Sequence, residues 1–177
     1  MRSFEESAMG ITNREFKKRR KEIMSRMEPN SIGLLSSAPE CLRNNDAEYQ
    51  YRQNSDFYYL TGFTEPHAIL ALVPGREQGE VILFCREKNE EKELWTGYIL
   101  GPEAAIDSLK IDDAYPIEDV DEIISGLIEG KGRIYYSMGR DDHFDRQVMT
   151  WVKNLRNNAK VGPPPPSECQ VLDHFVH

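Results

Sequence analysis

The chain has 177 residues, of which 39% are hydrophobic, 10% aromatic and 29% charged, the make-up of one globular domain large enough to bury a sizeable core. A net charge of −8 and a pI near 5.1 exclude nucleic acid and anionic membrane surfaces as expected partners, because phosphate binding needs clustered cations. No run approaches the ~18 consecutive apolar residues of a membrane span, and the charged MRSFEESAMGI start lacks a signal-peptide core.

Taken in order, residues 1–12 read as a flexible start. Thr12-x-x-Glu15 has the form of a capping box, and Phe16, Ile23, Met24 and Met27 then fall at helical offsets, predicting a helix over 13–27. The cations Arg14, Lys17, Lys18, Arg19, Arg20 and Lys21 lie within it and read as its solvated face. Pro29-Asn30 stops it. Ile32 to Leu35 has strand length, and residues 38–50 read as a loop. Residues 54–61 suit either a buried strand or a short helical turn. Two apolar runs, Ala68–Val73 and Val81–Cys85, flank a hairpin-like Pro74–Gly79. Charges fill 86–93, and Trp95, between Leu94 and Gly97, is expected on a loop or strand end, as a core lid or as an exposed anchor.

Pro102 opens a short helix. Val120, Ile123, Ile124, Leu127 and Ile128 sit at i, i+3, i+4, i+7 and i+8 and give the cleanest helix, closed by Gly130. Ile134–Ser137 reads as a strand, and Phe144, Val148, Trp151, Val152 and Leu155 as the next helix. Gly162 and Pro163–Pro166 form a stiff connector, and Val171-Leu172 a last strand. The order α β (loop) β β α β α β α β predicts one α/β sandwich, a mixed sheet flanked by helices in three layers.

Catalytic machinery is hard to find. No GxSxG, HExxH, Walker A or GxGxxG motif is present. Asp173, His174 and His177 form the one close histidine grouping, at a chain end where a rigid metal site is hard to build. His67 and His143 are isolated. Asp46 and Glu48 share a loop but lack a third partner for acid–base work. Cys41, Cys85 and Cys169 contain no CxxC pair and point to reduced thiols in a cytoplasmic protein.

The densest signal is Tyr51 to Phe63, YRQNSDFYYLTGF, followed by Glu65-Pro66. It sets Arg52, Gln53, Asn54 and Asp56 beside five aromatic rings. Phe57, Tyr58, Tyr59, Leu60 and Phe63 are expected in the core, with Arg52 and Asp56 as an internal ion pair. The residues before them are free to shape a surface over a site on another domain or subunit.

This run closely resembles the N-terminal-domain signature of aminopeptidase P, the Xaa-Pro aminopeptidases of the creatinase/prolidase superfamily. Tyr51, Arg52, Gln53, Asn54, Asp56, Phe57, Gly62, Phe63, Glu65 and Pro66 carry it. Glu15-Phe16 with Arg19-Arg20, Ala38-Pro39-Glu40, Asp46 with Glu48-Tyr49, Leu83-Phe84, Leu94-Trp95 with Gly97, and Leu100-Gly101 with Ala104-Ala105 support it in order. The resemblance implies that residues 13–172 form the non-catalytic N-terminal domain of a cytoplasmic metallopeptidase, with 173–177 starting a connector to a C-terminal pita-bread domain. That domain would bind two divalent metals, usually manganese, and remove the residue before a proline at position two. No catalytic residue, metal ligand or cofactor is therefore assigned to this chain, and Arg156 and Lys160 receive no substrate role.

The resemblance further implies a homo-oligomer in which Trp95 lines, and the Asp46 loop reaches toward, a neighbouring subunit's substrate pocket. Two other readings stay open: the corresponding domain of a prolidase or creatinase, and a stand-alone peptide- or protein-binding module.

Overall fold

The computed structural model describes residues 11–40 and 51–158, and the backbone of 168–171. Six strands form one sheet: β1 (Ser31–Ser36), β2 (Ile69–Leu72), β3 (Val81–Cys85), β4 (Asp113–Pro116), β5 (Arg133–Tyr136) and β6 (Glu168–Val171). Their order is β4-β3-β2-β1-β5-β6. β2 is antiparallel to β1 and β3, whereas β1–β5, β5–β6 and β3–β4 are parallel. The carboxyl ends of every strand except β2 therefore open on one edge of the sheet, where loops from distant parts of the chain meet.

β1, β2 and β3 are buried on both faces, so they read as continuous apolar runs rather than as alternation. Their side chains still alternate in destination. Leu35, Leu70, Leu72, Leu83 and Tyr135 enter one core, beneath helices α1 (Asn13–Ser25), α2 (Ser55–Thr61) and α4 (Pro102–Leu109). Ile32, Leu34, Ala71, Ile82 and Ile134 enter the other, beneath α5 (Val120–Ile128) and α6 (Asp142–Asn157). Helix α3 (Glu90–Thr96) lies between β3 and α4 in sequence and buries no residue in either core. The three-layer mixed α/β sandwich is thus as expected.

Local chemistry explains the element ends. Thr12 caps α1 by accepting from the Glu15 amide at 3.3 Å, but the Glu15 carboxylate turns to Arg19, so the capping box is half made. The helix stops at Ser25, two residues short of the expectation, while Met27 remains buried beyond it. Residues 54–61 resolve as helix. Asn54 caps α2 through the Asp56 and Phe57 amides, and Gly62 ends it at φ +70. A Cβ at Gly62 would lie 2.6 Å from the Phe16 ring, so α1 and α2 pack closely only because that position is glycine. Pro102 stands in the first turn of α4.

Three expectations are corrected. Trp95 lies on a helix, α3, not on a loop or strand end; the segment is too polar to show helical periodicity, and Asn89 caps it through the Lys92 amide. The cation cluster is not all solvated face. Arg20 is 1% exposed and occupies the apolar stripe of α1 between Phe16 and Met24. Its guanidinium donates to the carbonyls of Leu60 (2.9 Å), Leu109 (3.3 Å) and Lys110 (3.0 Å), at the C-terminal ends of α2 and α4. A cation is favoured there by the free carbonyls and the helix dipoles. Burial pulls the Arg20 pKa down to about 10, against the attraction of Asp112, so it remains charged at neutral pH.

The third correction concerns the rings and the ion pair. Phe57, Leu60 and Phe63 are core, but Tyr58 is half-buried and Tyr59 is exposed, with the Arg19 guanidinium 4.2 Å from its ring centroid. Arg52 is exposed and does not pair with Asp56, which meets Arg140 at 3.6 Å. Arg52 precedes the N-cap of α2, so the four-residue spacing is not a helical i,i+4 spacing.

Candidate functional site

The signature run sits where the carboxyl ends of the strands meet, and its Tyr51, Gln53 and Asn54 side chains bind backbone. Gln53 is the hub. Its Oε1 accepts from the amides of Ala38 (2.8 Å) and Asn54 (2.9 Å), and its Nε2 donates to the carbonyls of Phe63 (3.2 Å) and Glu65 (2.9 Å). The Tyr51 hydroxyl donates to the Ala38 carbonyl at 2.6 Å and lies 3.0 Å from Gln53 Oε1. Burial pushes the Tyr51 pKa up to about 12, so the hydroxyl stays a donor across the biological range. Ala38, just past β1, therefore has both backbone polar groups held by this run. Ser37 completes the seam, its amide donating to the Ala68 carbonyl and its hydroxyl accepting from the Ala68 amide.

Glu65 continues the network. Its carboxylate meets Arg86 at 3.1 Å through one oxygen and accepts from the Leu100 amide at 3.0 Å through the other. Arg86 follows β3, and Leu100 precedes α4. One largely buried carboxylate thus closes the two ends of residues 86–100, the segment that carries α3.

The neck of this arm is tight. A Cβ at Gly101, whose φ is +83, would stand 3.0 Å from the Lys88 Cβ. Lys88 pairs with Glu93, donates to the Ile99 carbonyl at 3.0 Å, and holds Nζ 4.1 Å from the Tyr98 ring centroid. The Glu93 carboxylate also accepts from the Ile99 amide at 2.8 Å. The Glu93 hydrogen bond raises the Lys88 pKa, and the same bond lowers that of Glu93.

Trp95 is 90% exposed at the outer end of this arm, flanked by Leu94 at 85% and Tyr98 at 68%. Of the two readings the sequence leaves for Trp95, burial in this chain's core does not hold. Leu94 and Trp95 lie on helix α3 and Tyr98 just past it, and all three leave apolar surface open to solvent. Asp46, Glu48 and Tyr49 lie outside the described residues, as do Asp173, His174 and His177 and the tetraproline segment. Among the described residues, no three His, Cys, Asp or Glu side chains gather where a metal would be held. His67 faces Glu40 at 3.1 Å on the surface, and no helix there is long and apolar enough to cross a membrane.

Sequence reading missed Arg86, Lys88, Glu93, Arg140 and the inward turn of Arg20. Arg20 carried a signal, since it stands four residues from both Phe16 and Met24 on the apolar stripe. Arg86 and Arg140 carried none, because their carboxylate partners are remote in sequence.

The model of the aminopeptidase P N-terminal domain family matches residues 16–135. The chain is 34% identical over 168 residues to the Xaa-Pro aminopeptidase of Escherichia coli (strain K12), covering 94% of this chain and 38% of that protein. It is 37% identical over 151 residues to the Xaa-Pro aminopeptidase of Haemophilus influenzae, covering 85% and 33%. Its fold matches the structure of Pseudomonas aeruginosa aminopeptidase PepP with a TM-score of 0.91 and 51% identity, over 94% of this chain and 38% of that one. The chain thus spans well under half the length of the relatives it matches. With the three-layer sheet and the signature run at its carboxyl edge, these matches show that the chain belongs to the aminopeptidase P N-terminal domain family.

Proposed function

We propose that this chain is the non-catalytic N-terminal domain of a cytoplasmic, manganese-dependent Xaa-Pro aminopeptidase, serving oligomer assembly and substrate access. The substrates are peptides with proline at position two. The partners are the protein's own C-terminal catalytic domain and further copies of the full-length chain. Trp95 lines the substrate pocket of a neighbouring subunit, and the loop of Asp46 borders it. The observation that carries this reading is the exposure of Leu94, Trp95 and Tyr98 on and just past helix α3, which contributes nothing to the domain's own core.

Relatives and structural neighbours named as Xaa-Pro aminopeptidases support the activity, and one neighbour is a zinc-substituted Escherichia coli aminopeptidase P in complex with product. No cluster of described side chains here fits a metal ion, so the reading places the metals in the remainder of the protein. Metals bound there would supply Lewis-acid activation of water and of the scissile carbonyl. This chain's residues confine and orient the peptide.

The test is Trp95→Ala in the full-length protein, assayed on a tripeptide with proline second. An exposed aromatic anchor that gains a ligand contributes on the order of 1–2 kcal/mol, so kcat/KM falls about tenfold. The melting temperature of the 177-residue chain stays put, since a 90% exposed side chain stabilises little. Unchanged peptide turnover in the variant refutes the access role.

A further inference from the structure

Helix α3 is unusual in this fold because no residue of it is buried. Helices normally take their direction from the apolar stripe they bury. Here the apolar side chains Leu94 and Trp95 point away from the domain, and the aim of the helix must come from its ends. At those ends stand two polar clasps and, just past the helix, the buried side chain of Ile99. The inner one is Arg86–Glu65–Leu100 amide, with Arg86 and Glu65 side chains only 16% and 13% exposed. The outer one is Lys88–Glu93–Ile99.

The two differ in strength. The outer clasp is local and its cation is solvated, with Lys88 43% and Glu93 18% exposed, so water and salt weaken it. The inner clasp is shielded and tied to the rest of the domain, because Gln53 Nε2 holds the Glu65 carbonyl. From this geometry we infer that Glu65 is a positioning residue for substrate, aiming the Trp95 arm by joining its two ends through Arg86 and the Leu100 amide.

The inference rests on the access reading of Trp95, but its physical content is separate: Glu65 fixes where Trp95 is held. Removing the carboxylate frees Leu100 and leaves the Arg86 guanidinium without its partner. The arm then keeps its outer clasp and its helix, but samples a range of directions. An ångström-scale misplacement of a binding group is enough to cost on the order of tenfold to a hundredfold in rate.

The test uses the full-length protein with 5-fluorotryptophan, Trp95 being identified by its loss in Trp95→Phe. Glu65→Ala is expected to sharpen the Trp95 fluorine line toward that of a freely mobile side chain, while the Trp151 line does not move. It should raise KM for a tripeptide with proline second about tenfold, with a smaller change in kcat. Glu65→Gln, which keeps an acceptor for Leu100, should recover part of both effects. In the Trp95→Ala background, Glu65→Ala should add little further loss, since both changes act on one element.

An unchanged Trp95 line in a folded Glu65→Ala protein overturns the positioning role. Additive losses in the double variant overturn it too, because Glu65 then acts elsewhere. A mobile Trp95 with normal peptide kinetics keeps the mechanical role of Glu65 and refutes instead the access reading beneath it. If Glu65→Ala does not fold, the same measurements on Glu65→Gln decide, and an immobile Trp95 with wild-type KM there counts against the inference.

Discussion

Replacing Arg20 by Met tests whether a buried cation knits the first layer of helices together. Methionine matches the length of the aliphatic stem and its apolar character suits the stripe around Phe16, Ile23 and Met24, so lost packing is small. What is lost is the guanidinium. The carbonyls of Leu60, Leu109 and Lys110 would each lose a charged donor at 2.9–3.3 Å, and backbone acceptors cannot be mutated away with it. Hydrogen bonds to a charged group contribute about 1.5–3 kcal/mol each, so three would suggest about 5–9 kcal/mol. Against that stands the desolvation of the guanidinium, several kcal/mol for a buried ion. Two features agree with this cost: burial lowers the Arg20 pKa to about 10, and its Nε has no acceptor.

The expected net loss is therefore about 2–4 kcal/mol. For a domain of this size a 3 kcal/mol loss lowers Tm by roughly 6–12 °C. Urea titration of the 177-residue chain, read by the fluorescence of buried Trp151, measures it directly. Arg20→Lys keeps the charge without the planar fork and should fall between the two. A methionine variant as stable as wild type, or more stable, would refute the reasoning. It would mean that the three carbonyls find water, and that Arg20 is tolerated rather than required.

Gln53→Glu separates shape from hydrogen bonding at the hub: the new carboxylate still accepts from Ala38 and Asn54, but turns an acceptor toward the carbonyls of Phe63 and Glu65. A loss of about 2–3 kcal/mol in urea titration is expected at neutral pH, shrinking as the carboxyl protonates in acid; equal loss at both pH values would contradict the assignment of the amide. Cys85 is fully buried, and burial pushes its thiol from 9.0 up to about 12, which cuts the thiolate fraction near pH 8 about a thousandfold. Peptide mapping after brief alkylation of the native chain should find Cys85 unmodified and modified only in denaturant; labelling of the native protein at the rate of a free thiol would show that the site opens.

The sequence disclosed elements that bury an apolar stripe and concealed those that do not. Helices α5 and α6 were legible because Val120, Ile124 and Ile128, or Phe144, Val148 and Trp151, repeat at helical spacing toward one core. Helix α3 was not, since its apolar residues, Leu94 and Trp95, are adjacent rather than at helical spacing and bury nothing. The strand Asp113–Pro116 has its place in the expected order, between the Pro102 and Val120 helices, but no residues marked it, as it is a half-buried edge strand with no unbroken apolar run. At the site, the aromatic half of the signature run was read correctly for Phe57 and Phe63, whose hydrophobicity decides their place. The polar half was misread at Arg52 and Asp56. An ion pair is chosen by three-dimensional neighbours, and the cation that meets Asp56 comes from beyond β5.

That contrast gives the run a physical meaning. Its amide and carboxylate bind backbone groups that are remote in sequence. Gln53 holds Ala38 from 15 residues away, and Glu65 holds Leu100 from 35. A buried amide or carbonyl left unpaired costs about 1–3 kcal/mol, and a neighbouring side chain of another length cannot substitute across such separations. Residue identity at 53 and 65 is thus dictated by distances between loops, while the residue those loops present, Trp95, is free of any core requirement. On the proposed reading, a contact held this way would be retuned by changing its tip without disturbing the fold, and would lose its aim if the supports beneath it changed.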